Sequence, residues 1–165
     1  IIAPEYPGFG GLEGHPSEKS IRILTWKVYE DLVKRGTKPA DIIIHGNSLG
    51  AGPALIMAQN PHRLLLLSAP VAQLETLMRH FLAYYPGFLL RDKWNNIELA
   101  KRKYKAETII VHAADDAVVP VQQGRDLAYS IYAQYREPER GGHTWPVYVA
   151  SHIAIWEAGI KADIK

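Results

Sequence analysis

Ser48 stands in the stretch "HGNSLGAG", flanked by Gly46 and Gly50 and entered from the apolar run "DIIIH". A serine held between glycines two residues to either side, after a strand-like run and before a slim helical segment, has the pattern of a nucleophile elbow. The chain doubles back so tightly there that a side chain at either glycine would collide with neighbouring backbone. Ala51, Gly52 and Ala54 keep the following helix narrow. The backbone N–H of Leu49 would then point, beside a helix N-terminus, at the oxygen of a carbonyl group held over Ser48, where an oxyanion is stabilised.

A serine hydroxyl needs a base to take its proton and an acid to orient that base. On such a turn the order along the chain is serine, acid, histidine. His15, His45, His62, His80 and His112 precede any acid that fits this order, which leaves His143 and His152. His152 falls within a helical stretch, whereas His143 follows Gly141-Gly142 in a loop beyond the last strand, so His143 is the expected base. Asp115 and Asp116 both follow the apolar run "TIIVH", and spacing does not choose between them. Asp92 and Asp126 are expected to be solvated.

Two other readings of the glycines fail on residues. A phosphate-cradling loop needs Gly-Lys-Ser/Thr, and the Ser48 loop has no lysine. In "GFGGLEG", Glu13 stands where the last glycine of a dinucleotide fingerprint belongs.

The elements needed to hold these residues are legible as alternating strand and helix. Strands are expected at Ile1–Glu5, Asp41–His45, Leu64–Ser68 and "TIIVH", with a short one around Tyr135. Helices are expected after the N-cap Ser17 along Ile21, Leu24, Val28 and Leu32, from Gly50 to Asn60, over "VQQGRDLAYSIYAQY", and over Val147–Ile164. Residues 71–105 should hold two or three helices and loops rich in aromatics, a candidate cap or lid. This alternation predicts an α/β fold on a mostly parallel sheet.

Composition fits one domain across residues 1–165: 47% of the residues are hydrophobic, and 19 basic against 17 acidic residues give a net charge of +2. That balance does not suggest a nucleic-acid binder, and "KRKYK" at Lys101–Lys105 reads as a solvated helix face. With no cysteine there are no disulfides or thiolate metal sites. No metal and no cofactor is expected. No run reaches the roughly 20 apolar residues of a membrane-spanning helix, so membrane association is expected only through a segment upstream of Ile1.

Taken together these segments resemble the α/β-hydrolase fold serine hydrolases, in particular the branch of α/β-hydrolase domain proteins and serine peptidases with a small cap. "APEYPGFGGLEGHPSE" resembles the family's strand-and-turn block, "IIIHGNSLGAGPAL" its elbow, "RDKWNN" the stretch before its acid strand, "VHAADDAVVP" its H-G-x-x-D-x-x-V-P segment, and "GGHTW" its histidine loop. Laid on that pattern, the acid falls on Asp116 and the base on His143. The resemblance implies hydrolysis of an ester, thioester or amide through an acyl-enzyme on Ser48, acting on a small-molecule or acylated substrate. Glu5, Leu12 and Ala113 depart from the family's usual aspartate, serine and glycine. The family's His-Gly loop, source of a second oxyanion donor, is absent, as is the strand between those corresponding to Ile1–Glu5 and to the run before Ser48. The sequence therefore reads as the C-terminal part of an α/β-hydrolase domain lacking its N-terminal strands. A non-catalytic binding protein of the same fold, or an inactive truncated fragment, is the alternative.

Overall fold

The computed structural model describes residues 1–84, 86–101 and 106–157. Among them, four strands form one parallel sheet in the order β1 (Ile43–Asn47), β2 (Leu64–Ser68), β3 (Glu107–Val111) and β4 (Gln134–Arg136). The helices are α1 (Glu18–Lys34), α2 (Ala51–Met57), α3 (Leu74–Phe81), α4 (Asn96–Ala100), α5 (Val121–Ile131) and α6 (Trp145–Glu157).

β2 is leucine at four successive positions because both of its faces are covered. Leu65 and Leu67 join Ile44 and Ile110 in a core with Ile21 of α1, Leu55 and Ile56 of α2, Leu99 of α4 and Leu127 of α5. Leu64 and Leu66 join Ile109 and Val111 in a second core against Ala150 of α6. Side chains alternate across a strand, so a run with no polar break is what a sheet with helices on both faces demands.

α1 is capped as its sequence implies: the Ser17 hydroxyl accepts from the Ser20 N–H at 3.1 Å, and the Ser20 hydroxyl accepts from the Ser17 N–H at 3.0 Å. Its buried seam differs from the expected stripe. Ile21, Thr25 and Tyr29 are buried, whereas Leu24, Val28 and Leu32 are only half-buried. Polar groups can lie in this seam because each is satisfied: the Thr25 hydroxyl donates to the Ile21 carbonyl and the Tyr29 hydroxyl to the Pro61 carbonyl, both at 2.8 Å.

Three expectations need correction. Ile1–Glu5 is not a strand but irregular, exposed chain. An extended segment becomes a strand only when a neighbour takes its backbone hydrogen bonds, and among the described residues β1 pairs with β2 alone. β1 begins two residues later than expected, because Pro39–Asp41 forms a 3-10 turn. α6 starts at Trp145 with Pro146 in its first turn, a position where the missing N–H costs nothing. The basic run at 101–105 lies outside the described residues beyond Lys101, as does the end of the expected last helix beyond residue 157.

Within residues 71–105, Trp94, Leu99 and Ala100 belong to the main core, whereas Phe81, Leu82, Tyr84, Phe88 and Leu89 are exposed. No helix among the described residues is long and apolar enough to cross a membrane.

Candidate active site

Parallel pairing puts every strand's C-terminal end on one edge. The register sets Asn47 beside Ser68, Ser68 beside Val111, and Val111 beside Arg136. The loops carrying Ser48, Asp116 and His143 all leave from that edge, the side where open α/β sheets bind ligands.

Ser48 opens a 3-10 turn, Ser48–Gly50, between β1 and α2, with φ 53°. Left-handed backbone at a non-glycine residue is strained and persists only when its surroundings over-determine it. The surroundings are visible here. The Ser48 carbonyl accepts from the Val71 N–H at 3.1 Å. A Cβ on Gly46 would come within 2.6 Å of the Ala54 Cβ and of the Gly50 carbonyl oxygen, whereas one on Gly50 would meet only the Tyr6 hydroxyl at 4.0 Å, so the collision expected at both glycines holds at the first alone. Leu49 is the second residue of this turn, so its N–H is one of the first-turn donors that lack an intrahelical partner.

The loop after β2 that meets Ser48 is itself tied down by two buried amides. Asn96 donates from Nδ2 to the Val71 carbonyl at 2.7 Å, and its N–H donates to the Ala72 carbonyl at 2.8 Å. Gln123 Oε1 accepts from the Ala72 and Gln73 N–H groups at 2.7 and 2.9 Å.

After β3 the chain turns, with the Asp116 N–H donating to the Ala113 carbonyl at 3.2 Å. The Asp116 side chain is fully buried. Its Oδ1 accepts from the N–H groups of Val118 and Val119 at 2.8 and 2.9 Å. Its Oδ2 lies 2.8 Å from His143 Nδ1 and 3.1 Å from His112 Nε2. Burial pushes this carboxyl's pKa up, but the hydrogen bonds from His143, Val119 and Val118 and the charge of His143 outweigh burial and hold it below its ordinary value.

The two adjacent aspartates divide the work on the histidine loop. Asp115, exposed, accepts from the Gly142 N–H through Oδ1 at 2.7 Å, whereas Asp116 reaches the His143 ring. Gly142 adopts φ 55° and Gly141 φ 153°, conformations that suit glycine and let the loop fold back to the sheet edge. The His143 side chain remains 23% exposed. Among the described residues no hydrogen bond joins Ser48 Oγ to His143.

His152 packs its ring against Tyr148 within α6, with centroids 4.3 Å apart and planes tilted by 58°. Asp126 accepts from Gln122 on the exposed side of α5. Asp92, expected to be solvated, instead accepts from the Glu18 N–H at 2.7 Å, and Glu18 Oε2 accepts from the Lys93 and Trp94 N–H groups, each at 3.1 Å. Sequence reasoning excluded His112 as the base without giving it another role, and it overlooked Asn96 and Gln123. The signal of all three was faint: His112 directly follows a buried strand, while Asn96 and Gln123 are single amides among neighbours of mixed exposure.

A groove of about 420 Å³ lies between α3 and residues 93–95, lined by Gln73, Glu75, Thr76, Arg79, Lys93 and Asn95. None of Ser48, Asp116 or His143 lines it. Among the described residues no cluster of three or more histidine or carboxylate side chains could hold a metal.

The fold is shared with known proteins. A meta-cleavage product hydrolase from Pseudomonas fluorescens superimposes with a TM-score of 0.66 at 18% identity, covering 99% of this chain and 79% of that one. An α/β-hydrolase domain-containing protein of Caenorhabditis elegans, aho-3, is 28% identical over 129 residues, 75% of this chain and 37% of its own length. This chain has the α/β-hydrolase fold. Within that fold it is also similar to the lysophosphatidylserine lipase ABHD12 of Macaca fascicularis, at 32% identity over 156 residues and 82% of this chain. The α/β-hydrolase-fold chain spans about two fifths of the length of the curated relatives it matches, 38% in the case of the macaque lipase. No protein-family model matches it.

Proposed function

We propose that Ser48, Asp116 and His143 form the catalytic triad of a serine hydrolase, and that the turn holding Ser48 is its nucleophile elbow. The observation that carries this reading is the 2.8 Å contact between His143 Nδ1 and the buried Asp116 carboxylate, on the sheet edge from which the strained Ser48 also leaves.

With Nδ1–H donating to Asp116, the neutral His143 ring has its lone pair on Nε2, the atom that takes the Ser48 hydroxyl proton. Ser48 Oγ then attacks the carbonyl carbon of an ester, thioester or amide. The oxyanion that forms accepts from the Leu49 N–H. His143 passes its proton to the leaving group as the acyl-enzyme forms, and the same pair then activates a water that releases the acyl group. Asp116 stays ionised throughout, stabilising the protonated ring, a role its depressed pKa supports. The names of the curated relatives, lipases among them, support the ester as substrate.

The rival reading is a non-catalytic binding protein of the same fold or an inactive truncated fragment. Labelling of the full-length protein by a fluorophosphonate separates the two. Covalent labelling of the wild type and none of Ser48→Ala is expected; labelling that survives in Ser48→Ala would overturn the assignment.

A further inference from the structure

Asp116 Oδ2 faces two imidazoles, and only one belongs to the triad. We propose that His112 is a positioning residue: its neutral ring donates a fixed hydrogen bond to Asp116, and so limits how strongly that carboxylate can raise the basicity of His143.

The tautomer of His112 follows from its neighbours. Nε2 lies 3.1 Å from Asp116 Oδ2 and 3.0 Å from the Val119 carbonyl oxygen. Both partners are acceptors, so Nε2 carries the hydrogen and shares it between them. Nδ1 is buried with no hydrogen-bond partner. It lies so close to Gly124 that a Cβ on that residue would sit 2.4 Å away. A proton on Nδ1 would be a donor with nothing to accept it, at a site that is wholly buried. His112 is therefore held neutral, and burial lowers its pKa in accord with that.

A dipole can serve here where a charge could not. A second cation beside Asp116 would repel protonated His143 and oppose the triad's proton transfer. A neutral donor instead completes the carboxylate's set of four hydrogen bonds, from Val118, Val119, His143 and His112. It fixes the plane of the carboxylate and draws charge from Oδ2, the oxygen that faces His143. The ionisable groups around this cluster are Asp115, which holds the neighbouring Gly142, and Glu137, whose charge His112 also feels.

Removing the donor makes Oδ2 more basic and stabilises protonated His143, so the pKa of His143 rises. The test is an NMR titration of the His143 Cε1–H resonance, identified by its loss in His143→Gln, in the wild type, His112→Gln and His112→Leu. A Gln side chain carries its nitrogen as many bonds from the backbone as Nε2 and keeps the donor. The His143 pKa is expected to rise by roughly half a unit to one unit in His112→Leu and to stay near the wild type in His112→Gln. An unchanged pKa in a folded His112→Leu, or equal shifts in both variants, overturns the proposal. Should His112→Leu fail to fold, His112→Asn replaces it, since its shorter amide cannot reach Oδ2. The inference rests on Asp116 and His143 acting as acid and base. Its readout needs no turnover, so an unlabelled Ser48 and an unmoved His143 titration are separate failures.

Discussion

Gly46 and Ala54 are packed so closely that a Cβ on residue 46 would stand 2.6 Å from that of Ala54. The start of α2 is folded back over the end of β1, and the turn through Ser48 exists in the space the missing side chain leaves. Gly46→Ala is expected to cost about 1–3 kcal/mol, the usual penalty for overfilling a packed site. Chemical denaturation checks this: the midpoint should fall while the slope stays the same.

Asp116→Asn separates the acid from its neighbour. To keep the Val118 and Val119 N–H groups satisfied, the amide must place its oxygen where Oδ1 was, which turns its NH₂ toward His143 Nδ1. The ring is then driven to the tautomer that cannot accept the serine proton. Ester turnover by the full-length protein should drop about 10⁴-fold. Asp115→Asn retains an acceptor for the Gly142 N–H and should largely keep turnover. Steady-state kinetics on a p-nitrophenyl ester distinguishes the two variants.

Acid should unfold the protein in two stages. Burial lowers the pKa of His62 and His112 below the ordinary 6.5. Above 6.5 these rings are neutral in both states; as pH falls the unfolded chain takes up protons first, so stability declines. Asp116 is also depressed, so its contribution is complete above the ordinary 3.8 and is lost as pH falls through its lower folded value. Thermal unfolding midpoints across pH 8 to 2 should therefore decline below about 6.5 and again below about 4.

Gln123→Leu tests the strut behind the Ser48 loop. The substitution leaves the Ala72 and Gln73 N–H groups without their acceptor. Two unpaired amides should cost about 2–5 kcal/mol. Faster hydrogen exchange at residues 71–73 would be the local signature.

Much of this was legible in the chain because the informative residues carry local constraints. Leucine at four successive positions specifies a strand covered on both faces, and Gly46 before Ser48 marks a turn that leaves no room for a side chain. Ile1–Glu5 has the right composition for a strand, but pairing is a property of two segments, and composition describes one. Asp115 and Asp116 could not be separated by spacing, only by likeness to a family, because the difference lies in which carboxylate the turn after Ala113 aims inward. His112 was hidden for the same reason. Its contact with Asp116 spans four residues, yet it arises from a loop whose course is set by the Val119 carbonyl and by Gly124.

Glu18 and Asp92 exchange backbone donors across more than seventy residues, each capping the segment that the other begins. Neither end can therefore unravel alone: fraying the first turn of α1 strips the acceptor from the amides of Lys93 and Trp94, and withdrawing Asp92 exposes the first amide of α1. The same pair ties the start of α1 to the chain that seats Trp94 against Gly52, so the first turn of one helix and the approach to another stand or fall as a unit.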